Sequence, residues 1–275
     1  MDVFAKWPLV SINSVLCLTA TVTNLLVILI ILRTPRLHTP SNVLLCSLAL
    51  SDIGVGLVVQ PMFVVILAEV HRLEQFMEFA SMFLIGVSFL TLTAIAVDRY
   101  LALVLHLRYK AVVTVRRVSL AISFLWSLIL LANILRYILD FKTRNIVMVS
   151  VICVCLITST YCYFQIHRIV RRHQRQIKDQ SRSLPSASAP VVKQGKVVKT
   201  MYYIHGLFVI CVLPYPISLG MFISLGSRPD TVVFICSALT ILFANSSLNP
   251  YLFCWRMRDI RQALKQLLKR HLNND

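Results

Sequence analysis

A bundle of seven α-helices immersed in a lipid bilayer is the fold class this sequence predicts, and three observations predict it. Of the 275 residues, 57% are hydrophobic and only 14% are charged, well below the roughly 25% charged residues of a soluble domain. Hydrocarbon, rather than water, must therefore bathe most of the surface. Seven apolar runs reach the length of about 20 residues that crosses roughly 30 Å of hydrocarbon as a helix. They lie near Pro8 to Leu32, Val43 to Ala68, Met77 to Leu105, Val118 to Leu139, Ile146 to Ile169, Met201 to Leu225 and Thr231 to Cys254. Finally, with alternate connections assigned to opposite sides, 22 of the 28 Lys and Arg fall on one side. The positive-inside rule makes that side the cytoplasm. It also accounts for the net charge of +17 without nucleic acid, so an RNA-binding patch is not expected.

This topology puts the amino terminus outside and the carboxyl terminus in the cytoplasm, in a single domain over residues 1–275 that crosses the plasma membrane. The start, MDVFAKWPLV, lacks the basic region and cleavage site of a signal peptide, so the first segment is expected to remain as a spanning helix. All eight cysteines lie within apolar segments, and no extracellular disulfide is predicted.

In chain order, the first helix carries Asn24 at its centre and stops at Arg33-Thr34-Pro35. The second holds Asp52 at mid-membrane within LALSD, where an exposed carboxylate costs about 2.5 to 3.5 kcal/mol, so Asp52 must face inward and have partners. The third helix follows the outer acids Glu69, Glu74 and Glu78. At helical spacing it carries Glu74, Glu78, Ser81, Ile85, Ser88, Leu92, Ile95 and Arg99, a stripe joining one water boundary to the other. The fourth is centred on Trp126, and the short connection after it, about 140–145, leaves little to cover a pocket. The fifth lacks proline and runs out through Tyr161, Tyr163 and His167 into a basic amphipathic stretch, after which 174–196 is expected to be a flexible cytoplasmic loop. The sixth should kink at Pro214 and Pro216. The seventh ends in NSSLNPYLF. Beyond it, residues 256–270 place Ile260, Ala263, Leu264, Leu267 and Leu268 on one face, as in a helix lying on a membrane surface.

Taken in order, Asn24, LALSD with Asp52, Asp98-Arg99-Tyr100, Trp126, the Phe208-Cys211-Pro214 pattern and Asn249-Pro250 before an amphipathic helix resemble the rhodopsin-like (class A) G-protein-coupled receptors over nearly the whole chain. Within that class the pattern is similar to the branch holding melanocortin, lysophospholipid, cannabinoid and adenosine receptors. Glu74 and Cys155 stand where most of the class has a cysteine and a proline. The short second outer loop and LRYKAVVTVRR are most similar to melanocortin receptors.

The resemblance implies a receptor that passes binding of an extracellular ligand to a heterotrimeric G protein, with no cofactor and no catalysis of its own. It assigns coupling and activation to Asp98, Arg99, Tyr100, Tyr163, Phe208, Pro214, Asn249, Pro250 and Phe253. It implies a sodium ion held by Asp52, Ser88, Asn245 and Asn249, whose oxygens suit a hard, weakly bound cation; a water-filled polar network is the alternative. Ligand contact falls to Glu69, Glu74, Glu78 and Ser81. The acids favour a cationic ligand such as an Arg-bearing peptide, with solvated rim charges as the bland alternative and lipid or purine ligands left open. In melanocortin receptors two such acids also hold calcium, which implies Ca²⁺ at Glu74 and Glu78, although the third acid of that site falls at Met62 here. The absence of an acid in Val191–Thr200, Val212 in place of a tryptophan and Phe253 in place of a tyrosine are departures; the first predicts raised basal signalling.

Two other classes fit less well. A seven-helix ion or proton transporter needs a file of buried ionisable groups, whereas Asp52 stands alone at depth. A zinc hydrolase needs a ligand cluster, and there is no HExxH.

Overall fold

A computed structural model describes residues 3–69, 71–181, 205–256 and 260–265, and every regular element among them is helical. Seven helices are long and apolar enough to span a bilayer: α1 (Val3–Arg33), α2 (Pro40–Leu67), α3 (Glu74–Leu105), α4 (Val115–Leu135), α5 (Phe141–Ser181), α6 (His205–Leu225) and α7 (Pro229–Arg256). Several begin before their apolar runs because caps, not apolarity, start a helix. Thr39 accepts from the Asn42 N–H ahead of Pro40, and Thr114 accepts from the Arg117 N–H, each satisfying an orphan donor of the first turn. Asp140 accepts from the Thr143 N–H at 3.0 Å, and the Thr143 hydroxyl, with that N–H, holds its carboxyl below the usual range.

The fifth helix does not give way to a loop at residue 174; it continues to Ser181. The remainder of the expected third cytoplasmic loop, with Val191–Thr200, lies outside the described residues, as do Leu267 and Leu268.

Proline acts differently in α6, where a kink was expected, and in α7. In α6 the chain makes a turn at Leu213, and a fresh helical segment, Pro214–Leu225, begins with Pro214 in its first turn, as a residue without an N–H requires. In α7 the helix passes through Pro250 unbroken. Pro250 cannot donate to the Ser246 carbonyl four residues back, and the Asn24 side-chain amide of α1 donates to it instead at 3.0 Å. That exchange gives Asn24, fully buried, its structural reason.

One irregularity has no counterpart in the sequence reading. Residues Val55–Val59 of α2 form a π-helical turn. In so wide a turn the Gly56 carbonyl would accept from residue 61, which is proline; Cys17 Sγ of α1 donates to it at 2.9 Å. Gly56 is needed for this approach, since a Cβ there would lie 2.6 Å from Thr21 Oγ1.

Packing makes α3 the pillar of the bundle, touching α2, α4 and α5, while α1 lies against α2 and α7. At the end carrying Arg99, Val27, Ile30, Leu45 and Leu48 form a core that is sealed by Ile260 and Ala263 of the short helix over 260–265. The apolar face of that segment is thus turned onto α1 and α2. Toward the end carrying Glu78, Val55, Val59, Phe63 and Phe243 make a second core. Asn133 is the one buried residue of α4 among the described residues, so α4 is the most peripheral span. Leu18, Phe124, Val154 and Ile157 are exposed, as hydrocarbon solvent allows.

Candidate functional site

Three polar assemblies lie along α3. The deepest is built on Asp52, which has no exposed surface. Its Oδ2 accepts from Asn249 Nδ2 at 2.8 Å and its Oδ1 accepts from Ser88 Oγ at 3.1 Å. The Ser88 and Ser51 hydroxyls are 2.8 Å apart. Ser246 also hydrogen-bonds Asp52. Of the four residues expected around a cation, Asp52, Ser88 and Asn249 therefore meet. Asn245 is buried, but the bond from that part of α7 comes from its neighbour Ser246. Carboxylate and hydroxyl oxygens from Asp52, Ser88 and Ser51 suit a small hard cation. Every partner of Asp52 is neutral, as a file of proton-relay groups would not be.

At the Arg99 end, Asp98 is buried. It accepts from Ser41 Oγ at 2.7 Å and from Tyr109 Oη at 2.6 Å. Arg99 Nε stays 4.0 Å from the nearer Asp98 oxygen, with 29% of its side chain exposed. The expected pairing of Asp98 with Arg99 is thus only loosely made, because two hydroxyls occupy the acid first. Sequence reasoning missed Ser41 and Tyr109. Tyr109 lies eleven residues past Asp98, beyond a positive-φ residue, His106, where helical periodicity no longer predicts facing. Tyr163 is buried against Ala96, Ile166 and Val170, with Tyr100 packed on the same cluster. Its ring lies 4.9 Å from that of His205, whose Nε2 is 2.9 Å from Thr160 Oγ1.

At the opposite end a cavity of about 380 Å³ opens among α3, α4, α5, α6 and α7, within the range of roughly 300–1,000 Å³ typical of small-molecule sites. Ser81 and Glu78 line it, with Arg136, Arg144 and Asn133. Asn133 Nδ2 donates to the Phe79 carbonyl at 3.0 Å, tying α4 to α3. Its floor is a buried cluster in which Phe89, Ile152, Tyr215 and Leu242 meet Phe208 and Val212. The Phe89 and Phe208 rings meet edge to face at 5.4 Å.

Here the sequence expectation needs correction. The outer acids do not form an open anionic rim. Glu78 Oε1 accepts from Arg136 Nη2, and Arg144 Nη2 is 3.6 Å from the same oxygen. Glu69 pairs with Lys6 at 2.7 Å from a left-handed backbone conformation, and Glu74 is exposed. A calcium ion does not fit Glu74 and Glu78 as a pair: a dication would sit against two guanidiniums, and among the described residues no three His, Cys, Asp or Glu side chains converge. The Phe253 side chain lies outside the described residues.

Similarity to known proteins gives the family of the chain. A family model, the 7 transmembrane receptor (rhodopsin family), matches residues 23–146 and 139–253. The chain is 27% identical to the adenosine receptor A3 of Ovis aries over 292 residues, covering 94% of this chain and 89% of that one. It is 28% identical to melanocortin receptor 3 of Rattus norvegicus over 270 residues, covering 89% and 80% respectively. It is also 28% identical to the histamine H2 receptor of Cavia porcellus over 288 residues, covering 92% and 77%. Two of these are relatives of the kinds the motifs resembled. The chain belongs to the rhodopsin family of seven-transmembrane receptors, and its function is to pass the binding of an extracellular ligand to a heterotrimeric G protein.

Proposed function

We propose that the receptor sits in the plasma membrane with its amino terminus outside, that its ligand occupies the cavity floored by Phe89, and that binding opens the Arg99 end to the C-terminal helix of a G-protein α subunit. The observation that carries this reading is the contact of Phe89, which lines the cavity, with Phe208, three residues below Cys211 and six before the break at Pro214. A ligand that presses on Phe89 displaces Phe208, and the broken α6 is the element free to swing. Ligand binding then shifts a population between two packings rather than creating a new one.

Asp98 and Arg99 supply the other end of the switch. Asp98 is already satisfied by Ser41 and Tyr109, so Arg99 is held by a 4.0 Å approach alone among its described ion pairs. This supports a receptor with measurable basal output. Asp52, Ser88 and Asn249 join α2, α3 and α7 between the two ends, and Na⁺ at Asp52 would favour the packing in which they converge.

The test is guanine-nucleotide exchange on purified heterotrimers by receptor in nanodiscs. Exchange above empty nanodiscs without ligand, abolished by Arg99→Ala with unchanged melting temperature, is expected. Equal exchange by wild type and Arg99→Ala across the G-protein subtypes would remove the proposed coupling role.

A further inference from the structure

Among the described residues, the charged end of the cavity sets two guanidiniums beside the Glu78 carboxylate. Arg136 donates directly to Glu78 Oε1, and Arg144 approaches the same oxygen at 3.6 Å. The Arg136 side chain is only 12% exposed, yet its Nε and Nη1 are buried without a hydrogen-bond partner. A guanidinium held out of water with donors unmade carries a desolvation cost that a second anion relieves. Its planar fork matches carboxylate or phosphate oxygens two at a time. Below this end the lining is apolar: Met82, Ile85, Phe89, Val151 and Leu242 lead down to Phe208. The wall is also incomplete on one side. Leu128 of α4 and Val147 and Val151 of α5 line the cavity and are each about half exposed, which leaves a seam between α4 and α5 facing the hydrocarbon.

We propose that this cavity takes a single-chain anionic amphiphile entering from the bilayer, its carboxylate or phosphate head held by Arg136 and Arg144 and its hydrocarbon chain running down to Phe89. The inference rests on the receptor reading above and names the chemical class of its ligand. Glu78 is then an internal competitor. It neutralises one guanidinium in the empty receptor and opposes the incoming head, so the cavity binds best when Glu78 is neutral or displaced. A cationic ligand would need the reverse: Glu78 charged and the two arginines drawn away from it.

The experiment uses the full-length receptor in phosphatidylcholine nanodiscs. Oleate, oleoyl lysophosphatidate, oleyl alcohol, oleylamine and an Arg-rich peptide each compete with a fluorescent fatty acid. Nucleotide exchange is read in parallel. Oleate or the lysophosphatidate is expected to compete saturably, the two differing by whichever head the arginine pair fits. Oleyl alcohol and oleylamine should be at least tenfold weaker. Arg136→Met and Arg144→Met should each weaken the acid tenfold or more, and Glu78→Gln should strengthen it several-fold. If Arg136→Met does not fold, Arg144→Met and Glu78→Gln decide. Failure of both acids to compete, from a receptor that melts normally and drives exchange above empty nanodiscs, overturns the proposal and leaves the receptor reading in place. So does saturable binding of the peptide that Glu78→Gln abolishes. Arginine-dependent binding of an acid with no exchange on any G protein supports the proposal and removes the coupling mechanism instead.

Discussion

Asp52 and Glu78 are carboxylates on neighbouring helices of one bundle, and their surroundings are opposite. Asp52 is enclosed by neutral donors, Ser88 of α3 and Asn249 and Ser246 of α7. Glu78 is 39% exposed at its side chain and is met by two charged donors from beyond α4 and from α5. The first is a closed joint in which hydrogen bonds replace water, so a donor that loses its acceptor there must find another within the bundle. The second is an unbalanced charge group at the mouth of a cavity, where partners are exchangeable. A receptor needs both kinds of place: one where helices are fixed to one another and one where something from outside can enter.

The largest expected effect breaks the closed joint. Asp52→Ala leaves Asn249 Nδ2 and the Ser246 hydroxyl without this acceptor, at about 1–3 kcal/mol for each buried donor left unmade, while Ser88 can turn to Ser51 Oγ at 2.8 Å. Glu78→Gln, by contrast, should cost under about 1 kcal/mol, because the amide oxygen can still accept from Arg136 and the charge lost is that of a partly exposed carboxylate. Melting of the two variants in nanodiscs gives the contrast directly. Equal losses would mean that Glu78 is also a structural joint.

A smaller effect compares two glycines. A Cβ at Gly56 meets Thr21 Oγ1 at 2.6 Å and the Cys17 carbonyl at 3.1 Å, whereas at Gly86, which lines the cavity, it meets only Ile129 Cγ2 at 3.3 Å. Gly56→Ala should lose about 1–3 kcal/mol to overpacking. Gly86→Ala should come out near neutral, since Ile129 can give and alanine favours a helix over glycine by about 1 kcal/mol. Thermal unfolding of both variants checks the pair, and a neutral Gly56→Ala would show that α1 and α2 are looser than their spacing implies.

The smallest effect is at the Arg99 end. Tyr109→Phe removes one of the two hydroxyls on Asp98, at about 1 kcal/mol for a hydrogen bond that is partly exposed. The freed Oδ1 should draw Arg99 in, so ligand-free nucleotide exchange is expected to fall by two- to threefold. A rise in basal exchange would show that Tyr109 restrains Arg99 rather than releasing it.

Much of this was legible in the residues. Apolar run length marked the seven spans, the cost of a lone carboxylate turned Asp52 inward, and the missing N–H of Pro214 marked the break in α6. What escaped was decided by contacts between distant positions. The pairing of Glu78 escapes because nothing local shows that Arg136, 58 residues on, folds back onto it. Ser246 rather than Asn245 reaches Asp52 because a one-residue difference in facing on α7 lies within the slack of any helical wheel. Tyr109 follows the end of α3 at Leu105 and the positive-φ His106, which reset facing altogether. The outer acids were therefore placed on the correct helix end but given the wrong electrostatic surroundings.

The wide turn at Val55–Val59 reaches further than its five residues. An extra residue within one turn twists all that follows by about 100° around the axis. Side chains from Gln60 to Leu67 thus face directions that a regular helix would assign to their neighbours. Any relative whose second helix lacks this turn presents, at the position aligned with Met62, a group aimed elsewhere in the bundle. Ligand contacts borrowed along that half of α2 from such a relative would be transferred to the wrong wall.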